Sequence, residues 1–407
     1  MNEVLLLVGT RPEAVKAAPV ALCLAEHPYL TAAVVHSGQH AVMVEQALAP
    51  FGLRPDESLC YRRTTGGQPE LFAHLLPALD ALLARRRPKA VLVQGDTATA
   101  LAGALAAFWQ RVPVVHLEAG LRTGDLAAPF PEEANRQLIA RVAALHLAPT
   151  PAAAAALSAE CPSGGPVVVT GNTVVDAALR IAALETPAAN PDLMAVERDL
   201  ETHGGRLVLV TAHRRESWGA PLDEVLGAVA ALAEGHPDVH VLLPVHPNPA
   251  VRAQVVAVLG GNPRVTLTDP LSYPDLVRVL RRAALVLTDS GGIQEEAPSF
   301  GVPVLVLREV TERMEAVHAG CAWLVGTDRT RILLAADEML HTRLRIPVNS
   351  NPFGDGNASR RVCAAIEALL AGTPAPQMLE SAAGPPPRIF MRGSRACEGA
   401  VVEVDCG

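Results

Sequence analysis

Short β-branched runs alternate with Ala/Leu-rich stretches of helical character along almost the whole chain. That alternation predicts parallel strands joined by crossover helices. In the first half the strand-like runs are EVLLLV (3–8), AAVVH (32–36), AVLVQ (90–94), VVHLE (114–118) and VVVT (167–170). In the second half they are LVLVTA (207–212), VHVLLPV (239–245), VTLT (265–268), ALVLT (284–288) and VPVLVL (302–307). Each half reads as a Rossmann-like unit of its own. The fold class expected is therefore α/β, with two Rossmann-like domains facing across a cleft between the carboxyl edges of their sheets, where ligands bind in this architecture. The boundaries follow from the pattern: a first domain over 1–177, a polar, Pro/Gly-punctuated connector over 178–205, and a second domain over 206–358. From residue 373 to 407 the composition turns to Pro, Gly and isolated charges, which predicts a disordered tail.

Composition narrows the class. Half of the 407 residues are hydrophobic but aromatics make up only 3%, so Ala, Val and Leu must fill the interior. The formal charge of −8 argues against a broad nucleic-acid surface, since affinity there comes from neutralising phosphates. A small basic pocket for a phosphorylated metabolite stays open. No early segment has the pattern of a signal peptide, and no apolar run reaches the roughly 20 residues that span a bilayer. The seven cysteines are scattered without a C-x-x-C pair. They fit reduced cytoplasmic thiols better than disulfides or a zinc site, and no metal is expected.

The suggestive residues fall at strand ends. GTRPEAVK (9–16) lacks the G-x-G-x-x-G fingerprint, so no nicotinamide cofactor is implied. It places Arg11 and Lys16 around a helix start, where acids are normally favoured, and an anionic ligand explains that pair. GDTATA (95–100) puts Asp96 either as a helix cap or in the cleft. Glu118 ends a buried strand, a costly place for a carboxylate that is neither paired nor functional. In PFPEEANRQLIAR (129–141), Glu132 suits a first helical turn and forms either a surface ion pair with Arg136 or a third cleft acid. His213 stands with Arg214 and Arg215 at another strand end, as a phosphate or leaving-group site requires. Finally, TDSGGIQEEAPSFG (288–301) reads either as a plain strand-to-helix turn or as a phosphate cradle built from the amides of Ser290, Gly291 and Gly292. Arg313 is placed to meet the same anion.

In this order, GTRPEAVK, GDTATALAGALAAF, HLEAGLRTGD, PFPEEANRQ, TGNTVVDA, TAHRRES, TDSGGIQEEAPSFGVPVLVLR, TER, GTD and NPFGDGNASRR resemble the non-hydrolysing UDP-N-acetylglucosamine 2-epimerases from residue 9 to residue 361. The resemblance implies the two-domain architecture of nucleotide-sugar glycosyltransferases, with a last helix (about 359–372) returning to the first domain. It also implies a cytoplasmic homodimer without cofactor, membrane or nucleic-acid partner, serving cell-surface polysaccharide biosynthesis. The activity implied is reversible epimerisation at C2 of UDP-GlcNAc to UDP-ManNAc, by elimination and re-addition of UDP. Carried over by motif position, Ser290, Gly291 and Gly292 hold the diphosphate and Glu296 the ribose hydroxyls. Arg11, Lys16, His213 and Arg313 contact UDP, and Asp96, Glu118 and Glu132 sit at the hexose, with His213 joining them in catalysis. Glu295 is then the solvated or structural member of its pair. Gln39, His40, Gln68 and Arg214 match positions of an allosteric UDP-GlcNAc site in regulated members, although Val42 replaces an amide side chain found there. The alternatives are an epimerase for a UDP-diacetamido-uronate sugar, a UDP-sugar glycosyltransferase and a non-catalytic nucleotide-sugar sensor.

Overall fold

The computed structural model describes residues 2–59, 67–160, 165–212, 214 and 218–375. The tail from 376 onward therefore lies outside the described residues, as does His213.

The chain forms two parallel sheets. The first contains β1 (Asn2–Val8), β2 (Leu30–His36), β3 (Glu57–Ser58), β4 (Ala90–Gln94), β5 (Val114–Leu117), β6 (Leu145–Ala148) and β7 (Val167–Val169). Their spatial order is β3-β2-β1-β4-β5-β6-β7. The second contains β8 (Arg206–Thr211), β9 (Val239–Pro244), β10 (Val265–Thr268), β11 (Ala283–Thr288), β12 (Val304–Val306) and β13 (Ala322–Leu324), ordered β10-β9-β8-β11-β12-β13. In each sheet the order reverses between two central strands, β1 and β4 in the first, β8 and β11 in the second. A crevice opens beyond the carboxyl ends of such a pair, because the helices that follow its two strands leave on opposite faces. GTRPEAVK and GDTATA follow β1 and β4; the stretch beginning at Ala212 and TDSGGIQEE follow β8 and β11.

Three strands escape the apolar-run reading. β3 has two residues and β13 three, too short for a pattern, and β6 carries a buried histidine, His146, in its middle. The run VVHLE is shorter than it looks. β5 ends at Leu117, and Glu118 turns into the left-handed region at φ 61°. Aliphatic side chains fill the interior: Val4–Val8, Leu92, Val93 and Val286 are buried, with Phe353 among the largest fully enclosed. The Ala-rich helix Ala98–Trp109 lies so close to its sheet that a Cβ on Gly103 would sit 2.4 Å from Leu7 Cδ2.

Two segments tie the halves together. Helix Thr173–Ala183 is capped by the Asn172 side chain and buries Val174, Val175, Ala178 and Ile181. Its Asp176 carboxylate accepts from the Ala358 amide (3.1 Å) and the Ser359 amide (2.7 Å), fastening the start of the last helix, Ala358–Ala371. Across the junction, Arg11 donates to the Leu271 carbonyl (3.2 Å), Thr150 to Glu315 (2.7 Å), and Phe51 stacks on Tyr273 with centroids 6.2 Å apart. Among the described residues no helix is long and apolar enough to cross a membrane.

Candidate active site

The first edge is organised by a residue that the motif reading passes over. Glu13, fully buried in helix Arg11–Ala25, accepts from the Gly9 amide (2.9 Å), the Thr10 hydroxyl (2.8 Å) and the Thr97 hydroxyl (2.5 Å). Thr97 caps helix Ala98–Trp109 by accepting from the Ala100 amide. The turn after β1 is thereby locked to the turn after β4, which sets Arg11 and Lys16 in register with Asp96. Burial raises the Glu13 pKa against the pull of these donors.

Lys16 is buried rather than solvated, with its Nζ 2.6 Å from Glu118 Oε1 and 3.5 Å from Glu295 Oε2. Burial disfavours the ammonium, but the two carboxylates more than offset it and its pKa lies above the ordinary value. Glu118 also accepts from Asn172 Nδ2 (3.2 Å) and from the Gln94 amide. Burial works against its charge; Lys16 and Arg313 reverse that effect and hold the carboxyl below its usual range.

Asp96 accepts from Arg136 and, through its backbone carbonyl, from Asn135 Nδ2 (2.8 Å). Burial pushes its carboxyl up in spite of Arg136, with Glu118 adding to the rise. Arg136 is not the surface partner of Glu132 that the four-residue spacing offers. The phase of helix Glu132–Val142 turns it inward, where it pairs with Asp96 and lies 3.2 Å from Glu133. Glu133, the neighbour of the expected Glu132, is fully buried and also accepts from the Thr123 amide (3.1 Å). Glu132 itself is half-buried at the start of that helix.

The second edge is built differently. After β11, Asp289 accepts from the Arg214 amide (2.8 Å), and Ser290 precedes the short helix Gly291–Glu296. The Ser290 amide is not free for an anion, since it donates to the Thr288 hydroxyl at 3.0 Å. The two glycines differ. A Cβ on Gly291 would lie 2.7 Å from Arg313 Cζ, so glycine there admits the guanidinium across the helix start; at Gly292 the added atom would meet open space. Arg313 Nε donates to Glu295 Oε1 at 3.0 Å and its Nη1 lies 2.7 Å from Glu312. Burial lowers the guanidinium pKa, but Glu295, Glu312 and Glu118 drive it above the ordinary value. The Glu312 carboxyl falls to about 2, with burial overcome by Arg313 and Arg308.

Glu296 is buried beside Tyr273, whose hydroxyl donates to it at 2.9 Å. Burial raises its pKa to about 7; the Tyr273 bond and the Lys16 and Arg11 charges oppose the rise, and Glu295 adds to it. Burial in turn lowers the pKa of Arg11, against the pull of Glu296. Glu295 is not solvated, as one branch of the sequence reading had it. Only 1% of it is exposed, and it sits between Lys16 and Arg313.

Of the four residues matched to an allosteric site, Gln39 accepts from Thr99 (2.9 Å), near the Asp96 turn. His40 and Gln68 are exposed at helix starts. Arg214 lies 3.6 Å from Glu312 on the second edge.

The two switch points thus face one another, with Asp96, Glu118 and Lys16 at the first and a glycine turn with Arg313, Glu295 and Glu296 at the second. The family profile described as UDP-N-acetylglucosamine 2-epimerase matches residues 22–367. The chain belongs to this family. The UDP-N-acetylglucosamine 2-epimerase of Escherichia coli K12 is 44% identical over 370 residues, which are 90% of this chain and 98% of the relative. Among solved structures, Staphylococcus aureus MnaA with UDP is 38% identical at a TM-score of 0.82, over 92% of this chain and 99% of the other. The UDP-GlcNAc 2-epimerase of Neisseria meningitidis, bound to UDP-GlcNAc, is 38% identical at 0.79, over 91% and 100%.

In this 2-epimerase family member, the contacts that the motif reading missed are those of Glu13, Gln94, Asn172, Glu133, Tyr273 and Glu312. Asn172 stood in view inside TGNTVVDA, where capping explains it locally; its second contact, to Glu118, is 54 residues away in sequence. Glu133 was half-signalled by the EE pair, but only helix phase tells which glutamate points inward.

Proposed function

We propose that this chain interconverts UDP-GlcNAc and UDP-ManNAc by eliminating UDP, exchanging the proton at C2 and adding UDP back to the glycal. The observation that carries the reading is the meeting of Lys16 and Glu118 from the first edge with Glu295 and Arg313 from the second, each cation within 4.0 Å of both carboxylates. The C2 hydrogen is not adjacent to a carbonyl, so direct deprotonation is too slow. Departure of UDP from C1 puts positive character on the ring and acidifies that C–H bond.

In this reading Arg11, Lys16, His213 and Arg313 hold the diphosphate as it leaves, with Gly291 and Gly292 beside it and Glu296 on the ribose. Ser290 contributes its side chain, since its amide is already engaged. Asp96, Glu118 and Glu132 face the hexose, where carboxylates stabilise the cationic ring and carry the proton. The opposite displacements of the Asp96 and Glu118 pKa values support a division into an acid and a base, as two carboxyls in unlike surroundings allow. The protein acts in the cytoplasm as a homodimer. Exposed Phe108, Trp109 and Leu138, on two helices that pack together, offer a face for the second copy, which a solution mass measurement tests.

The deciding experiment for the activity is an NMR time course with UDP-GlcNAc in D₂O. Appearance of UDP-ManNAc with deuterium at C2 in both epimers is expected. UDP-GlcNAc that stays protonated and unchanged overturns the reading.

A further inference from the structure

Glu295 and Glu296 are neighbours on one helical turn, and the reaction above uses only the second. Yet Glu295 is the more enclosed of the two. Its Oε1 accepts from Arg313 Nε at 3.0 Å, and its Oε2 lies 3.5 Å from Lys16 Nζ with no hydrogen bond to it. Lys16 Nζ is 2.6 Å from Glu118 Oε1, and that same oxygen is 4.0 Å from Arg313 Nη2. Lys16, Glu118, Arg313 and Glu295 thus close a ring in which side chains of opposite sign alternate. Two members come from each half of the molecule, and the Lys16–Glu295 and Glu118–Arg313 contacts cross the junction.

We infer that Glu295 is a positioning residue for the epimerisation, holding Lys16 and Arg313 as one cationic clamp for the departing diphosphate while keeping Arg313, 4.0 Å away, from closing onto Glu118. The inference rests on the proposed function, because it takes the two cations as diphosphate contacts and Glu118 as a hexose contact. Its physical basis is the balance of the ring. Two cations this close repel in a medium less polarisable than water. With Glu295 ionised the four charges cancel. Without it, Lys16 has only Glu118 of the ring, and Arg313, left with a Glu312 that Arg308 shares, turns to the same Glu118 oxygen. A Glu118 claimed in that way has less charge to offer a cationic sugar ring, so the chemical step slows. The surplus positive charge at the same time strengthens the grip on UDP. Loss of Glu295 therefore moves catalysis and nucleotide affinity in opposite directions, which a purely structural role would not do.

The test is calorimetric UDP binding together with kcat and KM for UDP-GlcNAc, on E295Q and E295D beside the unaltered protein. For E295Q, kcat is expected to fall on the order of tenfold and UDP to bind several-fold tighter. E295D, which keeps the charge one methylene further back, shows the same two signs at smaller amplitude, and carries the test by itself if E295Q does not fold. Unchanged values in folded E295Q, as a glutamate that is protonated in the resting protein would give, overturn the inference. So does a joint loss of kcat and UDP affinity. If the unaltered protein binds UDP but does not turn over UDP-GlcNAc, the proposed function fails; the UDP arm then still decides the clamp, tighter binding supporting it and weaker or equal binding refuting it.

Discussion

The carboxyl edges of the two sheets have the same topology and unlike chemistry. The first edge is crowded with acids, each already engaged: Asp96 by Arg136, Glu118 by Lys16, Gln94 and Asn172, Glu13 by three donors. The second has a glycine turn, open space beside Gly292, and arginines held by Glu295 and Glu312. A group that must gain or lose a proton during a reaction needs neighbours that set its pKa, and the first edge is built of such neighbours. A group that only has to bind an anion needs access and fixed charge, which the second supplies in Arg313 and its glycine turn, with Arg11 and Lys16 reaching in from the first. The lesson is that a shared fold fixes where a site lies, while the partners of each side chain decide what it does.

That contrast can be broken at its most demanding point. Glu118→Gln keeps the shape of the first edge and removes its charge; kcat is expected to fall by about 10²–10⁴ while UDP affinity stays within a few-fold. Similar losses in both quantities would mean that the edges do not divide the labour.

The next effect concerns Glu296, a carboxyl of the second edge that burial raises to near neutrality. Its folded value of about 7 lies above its ordinary 4.5, so the fold favours the protonated form. The stability tied to it is complete below pH 4.5 and is lost as the pH rises through 7, by on the order of 3 kcal/mol. Urea unfolding at pH 5 and pH 8 should show Glu296→Gln losing less stability over that interval than the unaltered protein; equal losses would remove Glu296 as the source.

Gly291→Ala sharpens the other side. The new methyl displaces the Arg313 guanidinium that now lies 2.7 Å from its position, and UDP binding is expected to weaken about tenfold, read by calorimetry. An effect of similar size belongs to Thr97→Val on the first edge, which removes a helix cap and one of the three donors to Glu13. A cost of about 1–2 kcal/mol in unfolding free energy is expected.

Most of the frame was legible in the residues alone. Strands β1, β4, β8 and β11 are largely buried on both faces, and their near-continuous apolar runs announce them. Pairing of charges was not legible, because it depends on contacts between distant segments. The i,i+4 spacing favoured Glu132 with Arg136, and the interior claimed Arg136 for Asp96 instead. The residues alone leave Glu295 as either solvated or structural, since nothing within the chain nearby decides it; its partners are 18 and 279 residues away, at Arg313 and Lys16.

One backbone angle has a wider consequence. Glu118 sits at φ 61°, where any residue with a Cβ is disfavoured by roughly 1–2 kcal/mol and glycine is at ease. Backbone and side chain therefore ask for different residues at this position. Glycine would release that strain but leave the buried Lys16 ammonium without its nearest carboxylate, a loss of about 3–5 kcal/mol. A glutamate at such an angle is held there by its charge partners, so the residue that strains the turn is also the one that anchors the cation beside it.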